Sequence, residues 1–267
     1  QMAVERAASF IAADAAQQSF GFFSKSASAF AYRQQMGGFS LTVAGERGEV
    51  RLWREYAGDP LRSRYRGYGY QLAYAGVDRD FGALRLKLSG TMLDERETIL
   101  GGGANIWTGE AGARSWFADA GATYSPGSNW QANASYRRGW TRIGAAGFRD
   151  QADWLASDAW SADITRFGLF SLNDSLALRI AQPLRVRSGG LNLTLPVGYD
   201  YSSLQASFGR QFVSLAPTGQ ERDIEAAYAA PVAGGYLSAN AYWRKEPGHI
   251  ETAPDDVGLA LRFSRKF

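Results

Sequence analysis

The sequence predicts an all-β fold: a twelve-stranded antiparallel transmembrane β-barrel with an amino-terminal α-helix in its lumen. Apolar and polar residues alternate with a period of two through most of the chain, and the connections fall into a short set and a long set. No segment approaches the roughly 18 consecutive apolar residues that a spanning helix needs. Hydrophobic residues are 45 % of the 267 and mean hydropathy is −0.28. A place in a membrane therefore requires a closed barrel, which pairs every backbone amide within the protein.

The first element differs in kind. Residues 3–18 are rich in strong helix formers and contain neither Gly nor Pro. About sixteen residues at 1.5 Å each span about 24 Å, close to the ~25 Å height of a barrel's apolar band. The bulk is mostly Ala, with Glu5, Arg6, Asp14, Gln17 and Gln18 as polar points. A slender, partly polar rod of this kind suits a charged lumen; an amphipathic helix outside the barrel is the alternative. The chain thus divides into a linker or plug helix at 1–20 and a barrel at 21–267.

The strands are expected at 38–57, 64–76, 81–92, 114–125, 128–142, 158–171, 174–187, 190–197, 204–215, 220–231, 234–246 and 255–267. Leu84, Leu86 and Leu88 alternate with Arg85, Lys87 and Ser89; Trp130, Ala132, Ala134 and Tyr136 with Gln131, Asn133, Ser135 and Arg137. Ile224, Ala226, Tyr228 and Ala230 alternate with Asp223, Glu225, Ala227 and Ala229, and Leu237, Ala239, Ala241 and Trp243 with Ser238, Asn240, Tyr242 and Arg244. Residues 38–57 hold Gly45 and Gly48; they are read as one long bulged strand, because two strands there would make the total odd. The segment 190–197 is short and contains Pro196.

Residues 125–129, 172–174 and 231–235 have tight-turn chemistry, whereas 93–113, 143–157 and 247–255 are long. Alternating short and long connections is the barrel pattern, with the long ones outside when the carboxy terminus is periplasmic. Periodicity alone leaves a soluble sandwich open. Strands of about ten residues, the systematic connection lengths and 13 % aromatic content favour a membrane barrel with interfacial girdles. The alternation turns Arg51, Arg85, Lys87, Arg137, Arg179, Arg244 and Arg262 inward with Asp119, Asp163, Asp223 and Glu225. Buried charges need partners, so cross-pore networks are expected; a hydrated, porin-like ring is the alternative.

Little else in the chain carries chemistry. Cysteine is absent, which excludes disulfides and thiolate metal sites. The net charge is only +3 and the basic residues, almost all Arg, are scattered, which argues against nucleic acid. The lone histidine, His249, has no Ser within several residues and reads as an ordinary surface side chain. Asp255 and Asp256 are adjacent and point to opposite faces, a poor catalytic pair. Residues 101–103 are a Gly run without the Lys-Ser/Thr pair of a phosphate cradle and read as a flexible external loop. Glu95, Glu97 and Glu110 there lack calcium-ligand spacing. No catalytic residue, metal or cofactor is expected, and a monomer is. No signal peptide is visible, so the chain is expected to be a mature piece of a longer precursor.

The last strand carries the first resemblance. Val257, Leu259, Leu261, Phe263 and Phe267 form one face, against Gly258, Ala260, Arg262, Ser264 and Lys266. Gly258, Leu261 and Phe263, with the terminal Phe267, resemble the targeting signal of bacterial outer-membrane barrels, from which Arg265 departs. The resemblance implies the bacterial outer membrane, with its lipid and lipopolysaccharide, and the barrel-assembly machinery as partners. A twelve-stranded barrel preceded by a helix resembles the translocator domain of autotransporters. Residues 123–140 (TYSPGSNWQANASYRRGW), 169–201 and 215–264 resemble the barrel that ends certain subtilisin-like serine protease precursors. RIAQPLRV (179–186) and DDVGLALRF (255–263) carry most of that likeness. It implies an upstream passenger that holds the protease, exported with the help of this domain, and a linker helix that afterwards fills the pore. The alternatives are a small diffusion porin and an outer-membrane hydrolase built around His249.

Overall fold

The computed structural model describes residues 10, 24–54, 64–103, 112–147 and 152–265. It is all-β, and no helix among these residues is long and apolar enough to cross a membrane. One antiparallel sheet holds twelve strands: β1 (Ser24–Met36), β2 (Phe39–Arg54), β3 (Arg64–Phe81), β4 (Leu84–Glu95), β7 (Ala113–Tyr124), β8 (Trp130–Ile143), β9 (Asp153–Phe167), β10 (Ser175–Asp200), β11 (Gln205–Ser214), β12 (Arg222–Val232), β13 (Gly235–Lys245) and β14 (Asp256–Ser264). A two-residue ribbon, β5 (Thr98–Ile99) with β6 (Gly102–Gly103), lies in the connection after β4.

Neighbours in sequence are neighbours in the sheet, as short hairpin connections require. The exception is β11. Among the described residues it pairs only with the distal half of β10, Gly190 to Asp200, while β12 pairs with the proximal half, Ser175 to Ala181. β10 and β11 therefore form a ribbon that runs on past the start of β9, whose last partner on β10 is Gly189. Tight turns at 37–38, 82–83, 125–129, 168–174 and 233–234 sit at one end of the sheet, and the long connections at the other. In the 168–174 turn, Asp174 accepts hydrogen bonds from the amides of Leu169, Phe170 and Ser171 and from the Tyr228 hydroxyl.

The count of twelve agrees with the sequence, but two strands differ. β1 lies in a stretch expected to precede the first strand; Gly37 and Gly38, both at positive φ, make the two-residue turn into β2. Residues 39–54 are a single strand, as expected, yet the register shift opposes it on β1, between Ser24 and Ala27. Gly45 leaves room for the Phe30 ring rather than for a bulge. The expected strands 174–187 and 190–197 are one strand, β10. Its Gly189 has φ +103, and a Cβ there would strike the Trp154 carbonyl, so the glycine serves close strand approach and not a turn. The path from β1 to β14 then has eleven strands, with β11 beside it. Contrary to the even parity expected, β1 starts at the end of the long connections, and β1 and β14 run in the same direction.

The sheet curls around its polar face. Leu184 of β10 packs on a cluster of Tyr70, Leu93 and Phe117 from β3, β4 and β7, although β8 and β9 intervene. A cavity of about 230 Å³ on this side is bounded by Tyr74, Lys87, Ser89, Asp119, Arg137 and Gln182, among others. Ser115, Thr141, Ser161, Asp163, Asp223, Glu225 and Asn240 are buried, while Leu88, Trp140, Ile164, Leu178, Leu259 and Leu261 on the other face are exposed. A water-soluble sandwich would have the opposite arrangement.

Candidate functional site

Register places the buried charges, because residues paired across antiparallel strands point to the same face. Asp119 faces Arg137, and Asp163 faces Arg179. Both pairs are ion pairs; Arg179 Nη2 lies 2.9 Å from Asp163 Oδ2, and Asn133 Nδ2 donates to Asp163 Oδ1 at 2.7 Å. Asp223 is opposite Arg244 in register, but the Arg244 guanidinium binds Asp256 and lies 3.8 Å from Glu221, and Asp223 Oδ1 is buried with no hydrogen-bond partner among the described residues. Glu225, fully buried, accepts from Asn240 Nδ2 at 2.9 Å. Between these charges run hydroxyl pairs, Ser115 with Thr141 at 2.8 Å and Ser135 with Ser161 at 2.9 Å. Most partners are neighbours within the sheet, which leaves a polar concave wall whose groups are largely satisfied along the ladder.

One described residue of the amino-terminal segment lies on this wall. Phe10 is 7 % exposed and packs on Ala177, Ala181, Ala227 and Ala229, with Tyr236 beside them. The Arg179 guanidinium stands 4.0 Å over its ring. Four inward methyls on β10 and β12 leave a depression that an aromatic ring can fill, and the ion-paired arginine meets the ring's negative face. Phe10 did not stand out in the sequence. The signals were there: it is the one aromatic residue in 3–18, and alanine recurs at the inward positions of two paired strands.

Two loop readings are corrected. His249 is buried, not a surface residue. Its Nδ1 accepts from the Glu221 amide at 2.9 Å and its Nε2 faces the Leu184 carbonyl at 3.1 Å, which assigns the neutral Nε2–H tautomer. The 3-10 turn Pro247–His249 interlocks with residues 219–221: the Gly219 amide donates to the His249 carbonyl, and the Gly248 amide to Glu221 Oε2. Burial pushes the His249 imidazole below its ordinary 6.5, against the opposing pull of the Leu184 carbonyl and Glu221. Both ring nitrogens are thus engaged by backbone. The Gly101 loop is ordered as well. The buried Glu95 carboxylate accepts from the Thr98 hydroxyl and the amides of Leu100 and Gly101, so the chain supplies its own anion to that glycine run. Leu100 then packs against the Tyr70–Leu93–Phe117 cluster, and Ile99 against Ile143, Leu155, Leu191 and Leu193. The loop lies across the long-connection end of the concave face.

The exposed face carries two aromatic belts. Phe39, Phe81, Tyr124, Trp130 and Phe263 lie toward the tight turns; Trp116, Trp140, Trp154 and Trp243 lie toward the long connections. On β8 the belts are ten residues apart, Trp130 to Trp140. At about 3.4 Å per residue and a tilt of about 40° that is roughly 26 Å, the height of a lipid-facing band. Asp255 and Asp256 diverge as expected, Asp255 accepting from Trp243 Nε1 on this face and Asp256 binding Arg244 on the other.

Of the remaining expected positions, Arg85 pairs with Asp80 near a tight turn, Lys87 lies 5.6 Å over the Tyr74 ring, and Arg262 faces Ser238; all three are exposed on the concave side. Arg51 is in register with Gly67 at an odd position of β2, the set that holds the exposed Phe39 and Leu41, so the register turns position 51 to the outer face, contrary to the inward expectation. Glu5, Arg6, Asp14, Gln17 and Phe267 lie outside the described residues. Gly258, Leu261 and Phe263 are in β14, where Gly258 leaves room for the Tyr242 ring. Among the described residues no group of three or more His, Asp or Glu is arranged to hold a metal ion. No protein-family model matches the chain, and no curated protein matches it.

Proposed function

We propose that the curled sheet closes into an outer-membrane β-barrel and that the chain is an autotransporter translocator. It anchors in the bacterial outer membrane, helps to export a passenger attached at its amino-terminal side, and shuts its lumen with the segment 1–20. The likeness in 123–140, 169–201 and 215–264 makes a subtilisin-like protease the passenger, and the chain itself acts mechanically rather than as a catalyst.

The observation that carries this reading is the seat of Phe10 among the inward alanines, on the same wall as the buried ion pairs. Support for the membrane comes from the reversed polarity of the two faces and the spacing of the aromatic belts. Because β1 and β14 run the same way, closure takes either a parallel seam between them or one further antiparallel strand.

Conductance in planar bilayers tests the plug. Removal of residues 1–18 is expected to raise single-channel conductance to an intermediate level, because the loop at 96–103 narrows the same passage. Glu95→Ala, which frees that loop, is expected to raise it further. If truncation changes nothing even in the Glu95→Ala background, the plug role is lost. An intact chain that conducts freely would instead favour a diffusion porin.

A further inference from the structure

The exposed face has a second feature at its upper belt, just beyond the tryptophans. Register lays out a grid there. One row runs Asp94, Arg114, Arg142, Trp154 across β4, β7, β8 and β9; the next runs Met92, Trp116, Trp140, Ala156; a third runs Gly90, Ala118, Arg138, Asp158. Arg114 and Arg142 are thus directly opposite one another, an arrangement that is unfavourable for like charges.

Only one of the two is neutralised. Arg114 Nε donates to Asp94 Oδ2 at 2.8 Å, whereas Arg142, exposed, has no acidic partner among the described residues. In the third row Asp158 is shared: Arg187 Nε lies 3.2 Å away and Arg138 Nη1 3.7 Å. Two carboxylates therefore face four guanidiniums. Trp154 continues the Arg114–Arg142 row onto β9 and stacks across β8 on Trp116 of the next row, with ring centroids 6.0 Å apart. Amphipathic indoles of this kind settle at the headgroup level of a bilayer.

The geometry points to a binding site for a phosphorylated lipid headgroup, with Arg114 and Arg142 straddling one phosphate, Trp154 beside them and Trp116 and Trp140 under its sugar and acyl roots. Cross-strand neighbours lie about 5 Å apart at Cβ, a span at which two guanidinium forks can hold one phosphate by charge-assisted hydrogen bonds. That anion relieves a repulsion the fold otherwise retains. Resting on the membrane-barrel reading, under which the long connections face outward, the site lies in the outer leaflet, and its occupant is the phosphorylated glycolipid of that leaflet, lipid A.

Native mass spectrometry of the full chain released from detergent micelles tests this with four probes: bisphosphorylated lipid A, lipid A stripped of phosphate, phosphatidylglycerol and inorganic phosphate. Each arginine near an anionic lipid surface contributes about a fivefold change in affinity, so the Arg114→Gln/Arg142→Gln double variant is expected to bind lipid A roughly 25-fold more weakly. Arg166→Gln, at the other belt, is expected to bind as the parent does. Stripped lipid A is expected to bind the parent as weakly as intact lipid A binds the double variant. Equal binding of stripped and intact lipid A, or an unaffected double variant, overturns the site. Phosphatidylglycerol or inorganic phosphate that binds as tightly, with the same arginine dependence, overturns the assignment to lipid A. Insertion into lipid vesicles, measured in parallel by heat-modifiable migration, keeps the two readings apart: a chain that does not insert defeats the barrel, while one that inserts but ignores the phosphates defeats only this site. Arg114→Lys/Arg142→Lys, which keeps the charge and loses the forks, is expected to lie between parent and double Gln variant and covers a misfolded Gln variant.

Discussion

Replacing Phe10 by alanine strikes the proposed plug at its one described anchor. The ring is 7 % exposed, seated on four alanine methyls and overlaid by Arg179 at 4.0 Å. A buried phenylalanine removes at least about 150 Å² from water, which at about 25 cal/mol/Å² is close to 4 kcal/mol. The cation–π contact adds about 0.5–2 kcal/mol, and the methyl that alanine keeps takes roughly 1 kcal/mol back. A loss of about 3.5–5 kcal/mol is a factor of several hundred to several thousand in the docked-to-undocked ratio. Single-channel recording reads that ratio as the frequency of openings, at the intermediate amplitude the 96–103 loop still permits. Phe10→Leu retains most of the apolar area but not the quadrupole, and is expected to raise the frequency only several-fold. Openings as rare in Phe10→Ala as in the parent would refute the idea that this residue holds the lumen shut.

Asp163→Ala removes the carboxylate that the buried Arg179 guanidinium pairs with and is expected to destabilise by about 3 kcal/mol in urea unfolding, whereas Asp163→Ala with Arg179→Met costs clearly less; equal losses would mean the pair is not coupled. His249 titrates below its ordinary 6.5, so its contribution to stability is complete above that pH and is lost as pH falls through the lower folded-state value. The midpoint of heat-modifiable migration should therefore drop below pH 6.5 in the parent and do so less in His249→Gln; parallel curves would contradict the buried neutral ring. Gly258→Ala pushes a methyl into the Tyr242 ring and is expected to cost about 1–3 kcal/mol by overpacking, read as slower assembly into vesicles. Because the chain has no cysteine, cysteines introduced pairwise on β1 and β14 give an unambiguous readout: oxidation should link them if the seam is direct, and total absence of cross-linking would leave only a closure through another strand.

Several features were legible because they are local. Alternation separates the two faces of a strand at once, so the polar set 119, 137, 163, 179, 223, 225 and 244 could be placed on one wall before any pairing was known. Tight turns at 125–129 and 233–234 have turn composition of their own. Other features depend on what comes near from elsewhere. Gly189 and Gly190 look like a turn, but the Trp154 and Val213 carbonyls that demand their bareness come from β9 and β11. Residues 24–36 alternate Ala with Phe and Tyr, a weak signal until β2 lies beside them. The correct total of twelve strands came from missing β1 and splitting β10.

The pattern of residues by itself determined the class of fold, the sidedness of each strand and which charges share a wall, since a period of two is a property of the backbone alone. Tertiary structure decided the register that makes Asp163 meet Arg179, the depression that receives Phe10 and the burial of His249. Those outcomes depend on how strongly the sheet curls and on groups that approach from distant parts of the chain: Leu184 and Glu221 lie 65 and 28 residues from His249. No local periodicity encodes contacts of that kind.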